Sequence, residues 1–540
     1  MPNRAKALVP KARTAILLIA VGLTGVAPLQ AQSGAKVAAL SAAQLPTLGD
    51  GSDMTSSAER RLGDRIAREI YRDPDYIDDP VLFDYVQGIW QALLAGARVR
   101  GDLSGELDER FAWEIMLGRD RTVNAFALPG GYLGVHLGLI AIVSNRDELA
   151  SVLGHELSHV TQRHISRLVS KQAQQTPWLL GAMILGALAA SKSADAGNAL
   201  IIGGQALAAQ NQLNFSRDME READRVGLGV MTQAGFDAQG FVSMFDKLQQ
   251  ASRLNDNGAY PYLRSHPLTS ERIADMQSRQ PLAGSGPGPA DAALTPEHAM
   301  VAARARVLSN PGVDALRALA LEASGTGLAS LTAARQAGVL YGAALAASRL
   351  RDFGTAMTCL ERLTALARPD AHAARLSRLL DAEIALAAGD AARAAAVLSA
   401  AQAGQGEAVA DAAQARRPEL FLAAQIVTHA LAGAQAGAAS DVAQRLQVWV
   451  GAHPRDAQAW QLLSGVYALQ GQTLRAIRAD AETQVARLDY PAALDRFKAA
   501  QELSRPGQAG TAAVDHIDAS IIDTRRRQVE ALAKEQALDR

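Results

Sequence analysis

His155 and His159 stand four residues apart with Glu156 between them, in the run His155-Glu156-Leu157-Ser158-His159. On a helix that spacing puts both imidazoles on one face, one turn apart. Two neutral ring nitrogens so placed can grip one Zn²⁺, and a carboxylate between them lies beside any water on the ion. A hydrolytic zinc site needs three protein ligands and one open position. The pattern therefore commits the chain to a fold in which a second segment delivers a third ligand to this face.

The run Asp218-Met219-Glu220-Arg221-Glu222-Ala223-Asp224 is the candidate for that segment. Glu220 and Asp224 fall one turn apart on one helical face. Glu220 would ligate, and Asp224 would hold a ligand imidazole from behind. Chemistry alone does not choose Glu220 over Glu222, and the usual fate of such a run is a solvated charged face. His164, five residues after His159, falls off the ligand face and is read as a surface or supporting residue rather than a ligand.

The rest of the chain reads as mainly α. Apolar residues make up 49% and aromatics only 4%, so Ala supplies much of the apolar count and favours closely packed helices. The 54 Lys and Arg nearly balance the 55 Asp and Glu, which leaves no basic field for nucleic acid. The single Cys359 rules out an internal disulfide framework. Arg4, Lys6, Lys11 and Arg13 precede a short apolar run, Ala15 to Val26, and Leu29-Gln30-Ala31 then resembles a small-residue cleavage site, with Leu29 a poor fit at its position. Residues 1–31 thus read as a cleavable export signal, and the expected location is the periplasm. Residues 32–55 read as a flexible leading segment.

Ser56-x-x-Glu59 and Ser144-x-x-Asp147 are helix-start signals. The alternation from Phe111 to Met116 predicts a strand, and Asn124 to Leu128 a second, shorter one before the turn at Pro129-Gly130-Gly131. Asn124, Ala125 and Phe126 are candidates for an edge that holds an extended substrate by strand addition, or for a purely structural edge. Residues 178–190 are nearly uncharged but too short to span a bilayer. They read either as a helix packed over the core or as a lid that touches a membrane or a barrel protein. Residues 281–297 are a Pro/Gly-rich linker. Beyond it, Asp352, Phe353, Ala356, Leu360 and Leu363 share one spacing with Asp390, Ala391, Ala394, Leu398 and Ala401, and with Asp489, Tyr490, Ala493, Phe497 and Ala500. Trp460, Leu463, Tyr467, Gly471 and Ala476 look like part of another unit. The recurrence predicts tetratricopeptide-like helix pairs over 298–535.

His155-Glu156-x-x-His159, then Glu220-x-x-Ala223-Asp224, then Ser265-His266-Pro267 together resemble the signatures of zinc peptidases of the HtpX and CAAX-prenyl-protease group. Asn124 to Gly131 is similar to the element before the zinc helix in their soluble members. With an export signal before and helical repeats after, the layout resembles the β-barrel assembly-enhancing protease family. The resemblance implies an α+β zincin-type peptidase domain over 56–280 followed by an α-solenoid. It implies one Zn²⁺ held by His155, His159 and Glu220, with Glu156 as general base. It gives His266 two roles, an oxyanion stabiliser or a fourth, switch ligand, with Arg272 supporting either. Misfolded or stalled outer-membrane β-barrel proteins would be the substrates, the repeats would dock on the barrel-assembly machinery, and chaperone activity would accompany cleavage. The rival expectation is a non-catalytic periplasmic chaperone or adaptor whose His-capped zinc is structural.

Overall fold

The computed structural model describes residues 54–171, 216–253, 259–279, 294–400, 416–429, 436–504 and 516–538. The expected export signal, the apolar stretch 178–190 and residues 281–293 of the linker lie outside the described residues. What is described is mainly helical, with one three-stranded sheet.

Helix α1 (Ser56–Arg72) is capped one residue before the expected Ser56, because Thr55 Oγ1 accepts from Ala58 N at 3.2 Å. Ser56 Oγ instead donates to Glu106, 2.7 Å away, and Glu59 pairs with Arg163. Helix α2 (Pro80–Arg100) is capped by Asp79 and the short α3 (Gly105–Arg110) by Ser104. Strands β1 (Glu114–Gly118), β2 (Ala125–Leu128) and β3 (Tyr132–His136) form a sheet of order β1-β3-β2. β1 runs parallel to β3 and β2 antiparallel to it, with Ala127 opposite Leu133. β2 is therefore an edge, and Asn124 lies just before it. The first strand begins at Glu114, not Phe111. Trp113 has φ +51°, a left-handed conformation that a strand cannot contain, and its carbonyl takes the Trp90 indole N–H at 3.1 Å. Gly131, at φ +83°, closes the β2–β3 connection where a Cβ would meet Phe111 Cβ at 2.8 Å.

After α4 (Leu137–Ile142) comes α5 (Arg146–Thr161), the helix that carries His155 and His159. Its N-cap is Asn145, one residue past the expected Ser144: Asn145 Oδ1 accepts from Glu148 N at 2.9 Å, while Glu148 Oε2 accepts from Ser144 N at 2.6 Å. Helix α6 (His164–Lys171) is set off by Arg163 at φ +53°. Helices α7 (Arg217–Gln233), α8 (Gln239–Arg253), α9 (Tyr262–Ser265) and α10 (Ser270–Ser278) complete the peptidase-like region.

From Pro296 onward the described chain is mainly helical; Pro296–Ser309 and Val313–Leu321 both pack on Ala333–Arg349, and from there helices that follow one another in sequence pack together. The recurring spacing has a physical cause. Asp352, Asp390 and Asp489 each cap a helix by accepting a backbone N–H three residues on, at 2.9–3.2 Å. The residue before each cap, Arg351, Gly389 or Leu488, is left-handed and ends the previous helix. Ala356, Ala394 and Ala493 are fully buried where helices cross, and Leu360 and Phe497 fill the space one turn later.

One hydrophobic core runs through both regions, from Leu82 and Leu153 to Met300, Leu340 and Ile426. Buried and half-buried arginines reinforce the join. Arg304 forks onto Asp79 at 2.8 and 2.7 Å and also reaches Glu383 and Tyr341. Arg375 reaches Asp84 at 2.9 Å, and Arg417 reaches Asp78 and Asp456, both at 2.8 Å.

Candidate metal centre

α5 and α7 cross where neither carries a side chain. A Cβ on Gly227 would lie 3.0 Å from Gly154 C and from His155 N, so backbone meets backbone. This close approach brings the inner faces of both helices together. His155, His159 and Glu220, with His266 just after α9, present donor atoms that all lie within 4.8 Å of one another. All four side chains are at most 2% exposed.

His155 Nε2 is 3.0 Å from His159 Nε2 and 3.3 Å from His266 Nδ1. His266 Nδ1 is 3.1 Å from Glu220 Oε1, which is 3.5 Å from His159 Nε2. A tetrahedral zinc with ligands at its usual lengths has donor–donor edges of about 3.3 Å, so the set fits such an ion. The chemistry of the donors agrees. Asp224 Oδ1 takes the His155 Nδ1 proton at 2.9 Å, which leaves Nε2 as a lone pair aimed at the other donors. Three imidazoles and a carboxylate also match zinc's preference.

Arg272 braces the cluster. Its Nε and Nη2 fork onto Asp224 at 2.6 and 2.8 Å, and Nη1 lies 2.8 Å from Glu220 Oε2 and donates to Pro267 O at 2.9 Å. It thus ties the loop after His266 to α7. The sequence-predicted Asp224 and Arg272 both stand beside the donors rather than among them.

Glu156 is fully buried next to the donors. Its Oε2 accepts the Ala127 N–H of edge strand β2 at 2.9 Å, while Oε1 has no hydrogen bond and lies 3.4 Å from His266 Nε2. Burial pushes the Glu156 carboxyl up, against the pull of His266 and His155. Burial also pushes His159 well down, helped by His155 and His266. Burial would raise Glu220 too, but the charge and hydrogen bond of His266 outweigh it and hold that carboxyl low. Burial opposes a charged His266, yet Glu156 and Glu220 prevail and raise it. Asp224 is held low because its hydrogen bonds to Arg272 and His155 outweigh burial.

Of the candidate substrate edge, Asn124 O pairs back with His136 N at 3.0 Å. Alternation along an antiparallel pair then turns the Ala125 and Ala127 backbone groups outward. Three further residues stand at the site: Tyr262, which carried no role in the sequence reading, His164, read as surface or supporting, and Glu222, weighed there as the alternative ligand to Glu220. Tyr262 stacks on His266 at 4.7 Å between centroids. His164 Nδ1 meets His159 Nδ1 at 2.9 Å, and Glu222 takes His164 Nε2 at 3.1 Å. The aromatic four residues before His266 was a usable signal for Tyr262. No sequence signal marks the turn at Arg163 that swings His164 behind His159.

Residues 95–280 match the description Peptidase family M48. The chain is 34% identical over 336 residues to a Vibrio cholerae serotype O1 protein named for β-barrel assembly-enhancing protease, covering 61% of this chain and 65% of that one. It is 32% identical over 271 residues to the beta-barrel assembly-enhancing protease of Escherichia coli K12, covering 49% of this chain and 51% of the relative. The mitochondrial metalloendopeptidase OMA1 of Saccharomyces cerevisiae is 29% identical over 203 residues, 37% of this chain and 56% of the relative. The chain spans between half and two thirds of the length of these curated relatives. Residues 95–280, the stretch that matches peptidase family M48, contain all four buried donors on the two crossing helices and the loop after α9.

Proposed function

We propose that the chain is a zinc-dependent endopeptidase of the periplasm, with accompanying chaperone activity, that acts in quality control and assembly of outer-membrane β-barrel proteins. The observation that carries the catalytic part is Glu156. A structural metal site needs no further carboxylate beyond Glu220, yet Glu156 is fully buried beside the donors with no hydrogen bond to Oε1. The fit of the donor set supports zinc, held by His155, His159 and Glu220. When bound, zinc would supply a Lewis acid that makes nearby water acidic and polarises a peptide carbonyl. Glu156 Oε1 takes a proton from that water and later delivers it to the leaving nitrogen. The Ala127 N–H steadies the same carboxylate through Oε2. The outward groups of Ala125 and the Ala127 carbonyl offer an extended substrate backbone its hydrogen bonds.

His266 is read as a fourth, closing ligand rather than an oxyanion donor. Its Nδ1 lies among the other donors, 3.3 Å from His155 Nε2, and a site with four protein ligands has no open position. Arg272, through Pro267 O, holds it there. Cleavage then requires His266 to leave. The names of the relatives support barrel proteins as substrates. The capped, small-residue helix pairs beyond Pro296 support a tetratricopeptide-like surface for the barrel-assembly machinery.

The test is Glu156→Gln in the full chain, with bound zinc measured and cleavage of casein and of unfolded porin followed. The expected result is full metal content with cleavage lost. Retained cleavage would reject the role of Glu156, and a protein that holds zinc but cuts neither substrate even as His266→Ala would favour the non-catalytic chaperone.

A further inference from the structure

His164 ends up where a helix continued from α5 would not put it. Arg163, at φ +53°, breaks the helical path, and the His164 ring returns against the ring of His159 with centroids 4.9 Å apart. The two Nδ1 atoms lie 2.9 Å apart, so one must donate and the other accept. On its far side His164 Nε2 lies 3.1 Å from Glu222 Oε2. A carboxylate only accepts, so His164 Nε2 carries a proton. The His164 ring is wholly buried, which favours its neutral form, and a neutral ring protonated at Nε2 presents a lone pair at Nδ1. His159 Nδ1 must then donate, and its Nε2 is left as a lone pair facing His155 and Glu220. Arg167 Nη1, at 2.9 Å, holds Glu222 at the outer end of the chain.

We propose that His164 and Glu222 are positioning residues that fix the tautomer and ring orientation of His159 for metal binding. The two ligand imidazoles are thereby held from behind by unlike devices. Asp224 receives the His155 proton directly, whereas the His159 proton reaches a carboxylate only through a second imidazole. This also separates two glutamates that look equivalent in the sequence: Glu220 faces the donors and Glu222 faces the relay. The inference rests on the reading of the donor set as a zinc site.

The experiment uses the full chain in a Glu156→Gln background, so that activity plays no part. Zinc affinity is measured by competition with a chromophoric chelator, and cobalt-loaded protein reports ligand geometry through its visible absorption. His164→Leu should weaken zinc binding about 10- to 100-fold and shift the cobalt bands, and Glu222→Leu should do so toward the lower end of that range. His164→Gln, whose amide can accept from His159 and donate to Glu222, should recover to within about threefold of the parent. Thermal unfolding of the zinc-free proteins reports any loss of fold separately. Should His164→Leu fail to fold, Glu222→Leu decides, because Glu222 is partly exposed. Leucine variants that bind zinc within about twofold of the parent with unshifted cobalt bands overturn the inference. So does a His164→Gln variant as weak as His164→Leu. Glu220→Ala separates this failure from failure of the zinc reading: if the parent loses zinc with Glu220→Ala while the His164 series is unaffected, only the relay falls, whereas a parent without zinc ends both.

Discussion

Replacing Arg304 by Met tests whether the helical region and the peptidase-like region unfold as one. Arg304 is 5% exposed and makes two bonds to Asp79, two to Glu383 and one to Tyr341. Met keeps the apolar stem and removes the charge. Asp79 is then buried without its counter-ion, and removing one partner of a buried pair costs about 3–5 kcal/mol. Glu383 is a quarter exposed and can regain water, so the lower end applies, about 3 kcal/mol. The assay is equilibrium urea unfolding of the full chain, followed by tryptophan fluorescence and circular dichroism together. Because one core crosses the join, the two probes should shift together. Acidity adds a second check. Burial alone would raise the Asp79 carboxyl, but the charge and hydrogen bonds of Arg304 outweigh it and hold it below its ordinary value. A lowered folded value gives stability that is present above the unfolded value and lost as pH falls through the folded one. Without Arg304 burial dominates, and Asp79 then favours the folded state on protonation. The gap between parent and Arg304→Met should therefore narrow as pH falls from 7 to 4. A loss under about 1 kcal/mol, or a gap that widens on acidification, refutes the reasoning.

Further outcomes follow from the same geometry. His266→Ala should raise cleavage of unfolded porin by opening the fourth position; unchanged or lower cleavage removes its role as a closing ligand. Asp224→Asn should weaken zinc binding about 10-fold or more by releasing the His155 tautomer, as measured by chelator competition. Gly227→Ala should weaken zinc binding as well, because the new Cβ meets backbone that cannot give way, whereas Gly437→Ala, with open space around it, should not. Arg351→Gly should stabilise the chain by up to about 1 kcal/mol in urea unfolding, since Arg351 sits at φ +61° in a conformation that glycine adopts freely.

The imidazole pair was legible because its spacing has meaning only on a helix, and α5 supplies that helix. Glu220 was not legible from chemistry, since Glu222 has the same side chain two residues on; only the E-x-x-A-D resemblance separated them. The two helix starts slipped by one residue for a common reason. Thr55 and Asn145 are themselves good caps beside Ser56 and Ser144, and local pattern does not rank adjacent cappers. The first strand slipped because Trp113 is left-handed, its carbonyl bonded to the Trp90 indole far away in sequence, and no turn residue marks the position. The repeated Asp was visible as spacing, yet its role as a helix cap emerged only with the backbone in view. The Arg304–Asp79 pair joins residues 225 apart, and no local pattern reaches that far.

The crossing of the two ligand helices at Gly154 and Gly227 has its own consequence. Where helices usually mesh through side chains, their separation drifts as those side chains change size. Here main chain rests on main chain, so the gap between donors has a hard stop that core substitutions elsewhere do not reset. Ancestral or engineered changes to the surrounding core can trade robustness up or down while leaving the spacing of the four donors alone.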